Sequence, residues 1–305
     1  MANILLKSPY FEYNTSTSDA VSATLELSID GTLQYTLSKD VDSSYGALFE
    51  ISELARDYID ITFSGTYTSQ VVVITGDIKF YNSSDVQVGS TVSFSHTGFD
   101  GYGEYLEGAN PTITSGDLLQ SNTIVYMPEN TAGRIPEESA GTINYDTFSS
   151  TATSASTGGE TITIVRVCEP KFSPVKMTFV NKFGALQDIY FFKKSVESVN
   201  VTKESYKRSL VTSTGTYDIN KHSKRVLNTQ GTTSLTLNTG FVSEALNPAF
   251  EQMLLSEQVW ATIGSDVIPV DIVTTQLTYK TSVNDRLVNY TINLEYAFNV
   301  INDLR

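Results

Sequence analysis

From Leu287 to Phe298 the chain reads as one long alternating strand. Val288, Tyr290, Ile292, Leu294, Tyr296 and Phe298 fall on one face, and Asn289, Thr291, Asn293 and Glu295 fall on the other. That period fits a half-buried β-strand and excludes a helix. Twelve residues at the strand rise span roughly 40 Å, about twice a typical strand. A strand of that length points to architecture rather than to a pocket. Its polar face is expected to line a lumen, to meet another subunit or to face water, since one-sided sheets are common.

The rest of the chain repeats the same theme in shorter pieces. Leu25, Leu27 and Ile29 alternate before Asp30-Gly31, and Leu33, Tyr35 and Leu37 alternate after it, which predicts a hairpin. A three-residue loop through Thr32 sets Ile29 opposite Leu33 and Leu27 opposite Tyr35, matching apolar to apolar. Between Phe49 and Tyr58 the spacing of Ile51, Leu54, Ala55 and Tyr58 is helical. Strands are predicted over Thr66–Ile74, Asp77–Asn82 and Val86–Phe94, punctuated by Gly76, Asn82-Ser83-Ser84 and Gly98. Ser149–Gly159 is a Ser, Thr, Ala and Gly tract read as a loop or linker, followed by a strand over Thr161–Val167. Pro170 to Pro174 then places a domain boundary near residue 170.

The second half opens with a hairpin of Val175–Asn181 and Ile189–Phe192. Weak alternation follows over Val196–Tyr206, with a short strand at Ser234–Leu237. Asn247-Pro248 marks a helix start, with Phe250, Met253 and Leu254 as its apolar stripe. Strands are predicted again over Val259–Ile263, Val267–Val273 and Leu277–Thr281, and Asn284-Asp285 turns into the final strand. The expected fold is mainly β: two β-sandwich or barrel-like domains, residues 1–170 and 171–305, each with a short helix.

Composition restricts the chemistry. Residues 1–160 hold 5 Lys and Arg against 21 Asp and Glu, a balance of −16, whereas the remainder holds 15 against 13. So acidic a half repels nucleic acid phosphates. Cys168 is the only cysteine, so no internal disulfide forms, and His96 and His222 offer no local metal or acid–base pair. No cofactor or metal is expected, and no apolar run is long enough for a membrane-spanning helix. The Ile4-Leu5-Leu6 run is too short for a signal-peptide core, so synthesis and retention in a cytoplasm is the expectation.

Two regions carry candidate contacts. Gly98–Gly108 sets Phe99, Tyr102 and Tyr105 among glycines with Glu104 alongside, either a loop that grips a sugar or a glycine-kinked corner covering the sheet. Glu104 with Glu107, or Glu137 with Glu138, has the composition of a glycosidase pair but lacks any supporting motif. Lys203, Lys207 and Arg208 belong to a basic stretch suited to docking on an acidic surface of a neighbouring subunit, or else to an ordinary solvated face. Asn289, Thr291, Asn293 and Glu295 are the further candidate subunit contacts.

EPKFSPVKMTFVNKFGALQDIYFFKK (Glu169 to Lys194), LNTGFVSEALNPAFEQMLLSEQVW (Leu237 to Trp260) and LTYKTSVNDRLVNYTINLEYAFNVINDLR (Leu277 to Arg305) resemble uncharacterised structural proteins of tailed bacteriophages, especially marine and Bacteroidetes-infecting ones. FEISELARDYID (Phe49 to Asp60), FDGYGEYLEGAN (Phe99 to Asn110) and LLQSNTIVYMPEN (Leu118 to Asn130) are similar to the same group. The resemblance implies a virion component of the tail or baseplate, assembled in the host bacterial cytoplasm, and carries over no catalytic residue. The expectation is a non-enzymatic subunit that forms a distal-tail-like ring with copies of itself and other tail proteins, its first domain projecting outward. The alternatives are a receptor- or host-glycan-binding protein, a capsid decoration protein and a virion-borne glycan hydrolase.

Overall fold

The computed structural model of the chain describes residues 1–157, 159–169, 171–278 and 287–301. The fold is mainly β, with several sheets and two short α-helices, one in each half. The first part contributes β1 (Ala2–Leu5), β2 (Phe11–Thr15), β3 (Ser22–Ile29), β4 (Thr32–Asp40), β5 (Gly46–Glu50), α1 (Ser52–Arg56), β6 (Val72–Tyr81), β7 (Gln87–Phe99) and β8 (Thr112–Ile113). The middle holds β9 (Ile124–Pro128), β10 (Gly133–Ser139), β11 (Thr142–Phe148), β12 (Ser154–Thr157) and β13 (Glu160–Val167). The last part holds β14 (Val175–Val180), β15 (Leu186–Phe191), β16 (Val196–Lys207), β17 (Lys224–Asn238), β18 (Val242–Ser243), α2 (Asn247–Leu255), β19 (Val259–Ile263), β20 (Asp266–Ile272), β21 (Leu287–Val288) and β22 (Thr291–Asn299).

A six-stranded sheet runs β4-β3-β6-β7-β1-β8, with β1 parallel to β7 and the other pairs antiparallel. Alternate residues of β3 and β6, among them Leu25, Leu27, Ile74 and Ile78, point into one core that Ala55 of α1 and Ile51, the residue before it, close. The hairpin turn is two residues, Asp30 and Gly31, both at positive φ, so Ile29 faces Thr32 rather than Leu33. A bulge between Leu27 and Ser28 then restores Leu27 opposite Tyr35. Gly76 does not separate two strands, as its composition suggested. It lies inside β6, where the Phe94 ring occupies the space a Cβ would need.

The second sheet is antiparallel throughout, in the order β15-β14-β19-β20-β22-β17-β16. α2 lies on it through Phe250 and Met253, with Phe250 against Phe191 and Tyr290 at ring distances of 6.2 and 4.9 Å. Part of the Ser149–Gly159 tract is the strand β12, paired with β13, rather than a bare linker. The predicted strand Leu277–Thr281 is not seen at Leu277 or Thr278, and its remainder, with the Asn284-Asp285 turn, lies outside the described residues.

The terminal strand is corrected as well. Its pattern is interrupted at Asn289 and Tyr290: β21 pairs with β18 in a separate two-stranded sheet, and β22 alone, nine residues long, enters the large one. Tyr290 is the pivot, because its N–H donates to Thr239 Oγ1, its carbonyl accepts from the Thr239 N–H and its hydroxyl donates to Asn247. Phe298 continues the apolar face but is half exposed.

Three smaller apolar clusters join the parts of the chain across residue 170, such as Ile61 and Phe63 with Val180, Leu186 and Trp260. Buried polar contacts reinforce them. The Tyr67 hydroxyl donates to both Asp188 oxygens at 2.7 and 2.5 Å, and Lys176 Nζ donates to that hydroxyl at 2.9 Å. Asn181 donates to the Leu119 carbonyl and Gln187 to Asn122, each at 2.6 Å.

Candidate assembly surface

The hairpin of β16 and β17 reaches beyond the sheet that carries it. β17 pairs with β22 only from Thr232 to Asn238, whereas β16 follows β17 back to Lys207 opposite Lys224, with one irregularity at Glu204 and Ser205. Past Thr232 the structure is therefore a two-stranded ribbon. All twelve residues of β16 are exposed, and so are Lys224 to Asn228 of β17. Val199 and Val201 are 54% and 55% exposed on the free edge strand. Val, Thr and Ser dominate this stretch and suit a pleated strand, but among the described residues no second layer covers either face.

The basic residues lie on this arm. Lys203 and Lys207 are on β16, Arg208 begins the connection, and Lys221, Lys224 and Arg225 return from it, all exposed. Among the described residues none of the six is within ion-pair distance of a carboxylate. A cavity of about 670 Å³ at the base of the connection is lined by Tyr206, Arg208, Lys221, His222 and Arg225 among others. The sequence therefore located the cations, and the structure brings them together.

The polar face of β22 behaves differently. The Thr236 hydroxyl donates to Asn293 at 2.9 Å, Asn238 donates to Thr291 at 2.8 Å, the Ser234 hydroxyl donates to Glu295 at 3.4 Å, and Asn200 of β16 donates to Ser234 at 3.0 Å. Thr291 and Asn293 are exposed, Glu295 is half-buried, and Asn289 lies in the break before the strand rather than on it. The face is a lattice of short side chains that satisfy one another.

The Gly98–Gly108 segment does not present its aromatic residues as a group. Phe99 is fully buried with Leu5, Ile113 and Leu119, so it is core and no part of a binding loop. Tyr102 is half-buried, and burial, aided by the Glu251 and Glu104 charges, pushes its hydroxyl up to about 12. Gly101 and Gly184 are where two backbones pass each other: a Cβ on Gly101 would lie 2.4 Å from the Lys182 carbonyl, and one on Gly184 2.7 Å from the Asp100 nitrogen. Glu104 and Glu107 both accept from Lys182 Nζ, at 2.9 and 2.7 Å, and cap a single 3-10 turn over Tyr105–Glu107. That turn holds Tyr105 and Leu106 at 97% and 92% exposure.

The acidic pairs are occupied in structural work. Glu138 is buried and accepts from the Gly116 and Gly141 N–H groups at 2.8 and 2.6 Å; burial raises its carboxyl, and these bonds outweigh that to hold it below its ordinary value. Glu137, next to it on β10, alternates to the other face, where Thr157 and Asn144 donate to it. His96 bonds Glu12 at 2.5 Å beside Tyr10, far in the sequence from His222 on the arm. Among the described residues no three His, Cys, Asp or Glu gather as a metal site, and no helix is long and apolar enough to cross a membrane. No family model matches the chain, and neither a curated protein nor a solved structure does.

Proposed function

We propose that the protein is a non-enzymatic structural subunit of a tailed-phage virion, a tail or baseplate component that assembles with copies of itself into a ring. One observation carries the self-assembly: β16, twelve residues long and exposed at every one, forms the free edge of the large sheet. An edge strand this long is a template for pairing with another chain, and monomeric proteins blunt such edges or cover them. An isolated two-stranded ribbon is also marginal in water, so an arm of this kind gains its stability from what it meets. The virion setting rests on the resemblance of Glu169–Lys194, Leu237–Trp260 and Leu277–Arg305 to phage structural proteins, with residues 171–305 supplying the arm.

The test is sedimentation of the full chain beside a variant in which an Asn-Gly turn joins Lys203 directly to Thr229, which are register partners. The wild type is expected as a discrete oligomer and the variant as a folded monomer. A wild type that stays monomeric at every concentration refutes the self-assembly. Absence of the protein from purified virions refutes the setting. Tyr105 and Leu106, displayed on a fixed turn, favour a second reading as a receptor- or glycan-binding subunit. It requires that Tyr105→Ala abolish host-surface binding while leaving the fold unchanged.

A further inference from the structure

We infer that assembly is head-to-tail: the cationic arm of one copy docks on the acidic first half of the next, rather than arm on arm. This rests on the self-assembly reading above and specifies its interface. Between Lys203 and Arg225 the arm carries 6 Lys and Arg against 2 Asp and Glu, a balance of +4, within a chain whose total is −14. Residues 1–160 carry −16, and Glu53, Asp57 and Asp60 are among their exposed carboxylates. Among the described residues none of the arm cations is within ion-pair distance of a carboxylate, whereas the partly buried Lys7, Lys79 and Lys182 each have a carboxylate at 2.7 to 2.9 Å.

Two such arms repel each other, so a two-fold contact that sets arm against arm places like charges together. The acidic half attracts the arm and lies elsewhere on the same molecule. A contact between two different patches of one chain is heterologous, and it propagates until it closes into a ring or continues as a filament. Exposed apolar side chains among the cations, including Tyr217, Val226 and Ile219 at 83% exposure, supply area for burial once the charges have aligned the copies.

The experiment uses the full chain and the triple variant Lys221→Glu, Lys224→Glu, Arg225→Glu, all at exposed positions. The expected results are that the wild-type oligomer dissociates between about 0.1 M and 1 M salt, as the screening length falls from about 10 to about 3 Å, and that the variant is monomeric. Mixing the two should shorten wild-type assemblies in proportion to the variant added, because the variant still offers an acidic face but has no arm to extend the chain. An oligomer indifferent to both salt and charge reversal overturns this inference while leaving self-assembly standing. A mixed pair tighter than either protein alone overturns it in favour of arm-to-arm contact. Arm-dependent binding of a short DNA duplex overturns it by assigning the cations to nucleic acid. A wild type monomeric under all conditions removes the self-assembly reading as well.

Discussion

Replacing Tyr67 by Phe removes one oxygen from the contact between the two halves and leaves the ring in place. The hydroxyl donates to Asp188, whose side chain is 15% exposed, and accepts from Lys176. A hydrogen bond to a charged acceptor contributes about 1.5–3 kcal/mol, and burial moves the value away from the lower limit. Two neighbours act against a larger loss: the Thr178 hydroxyl still donates to Asp188 at 2.7 Å, and Lys176 Nζ, now 3.9 Å from the carboxylate, is free to close on it. The Arg134 guanidinium, 4.6 Å from the ring centroid, keeps its aromatic partner. The expected cost is therefore about 2 kcal/mol, or roughly 4 °C in Tm for a chain of this size. Burial, and then the Asp188 charge, raise the phenol far above its ordinary value, so the hydroxyl remains a donor throughout the accessible pH range. Urea unfolding followed by Trp260 fluorescence and by circular dichroism measures the loss. A double-mutant cycle with Asp188→Asn should be clearly non-additive. A loss under about 0.5 kcal/mol, or additive effects, refutes the view that this carboxylate depends on Tyr67 and joins the halves.

Phe250→Ala empties the centre of the second core, where the ring is fully buried against Phe191 and Tyr290, and is expected to cost about 3–5 kcal/mol by thermal unfolding. Lys182→Met frees two exposed carboxylates, and at neutral pH it should cost about 1 kcal/mol in urea. Burial raises the Glu107 carboxyl, but Lys182 and the Glu104 N–H outweigh it and hold the pKa below the ordinary 4.5. The stabilisation from a depressed carboxyl is complete above 4.5 and disappears as pH falls through the lower folded value, so the wild type and Lys182→Met should converge in acid. A difference that stays constant with pH contradicts that assignment.

Strands that bury one face were readable from the sequence. β3 shows the alternation its burial requires, β6 shows it on both sides of Gly76 although the glycine split it into two predicted strands, and α2 carries both its Asn-Pro start and its apolar stripe. β17 was readable only from Ser234 to Leu237, because Leu235 and Leu237 are buried there and the stretch from Lys224 to Asn228 faces water on both sides. The outgoing strand β16 left its weak alternation over Val196–Tyr206, but the returning stretch of β17, with no buried face, left none, so the pairing of the arm was hidden although its charge was visible. β10 was missed for another reason. Pro136 argues against a strand, yet β10 pairs along its length only with β11, its other side meets the chain in a single bridge of Leu118 to Glu137, and a residue lacking an N–H is tolerated at such an edge. The Tyr290 break depends on Thr239 and Asn247, which are distant in the sequence. The sequence left Phe99 open between a binding loop and a corner of the sheet, because an aromatic residue beside glycines looks the same whether it points inward or outward.

The parallel seat of β1, between β7 and β8, has a consequence for synthesis. Ile4 pairs with Gly98 on one side and Thr112 on the other, so neither neighbour exists when Ile4 leaves the ribosome. On the order of 100 residues must follow, which takes about 5–20 s at typical elongation rates of roughly 5–20 residues per second. During that interval Ile4, Leu5 and Leu6, all buried in the finished fold, have no sheet to enter. The nascent chain therefore passes through a period in which the apolar Ile4–Leu6 segment is available to a chaperone. The β3–β4 hairpin, closed over a two-residue turn, can form long before the strand that precedes it.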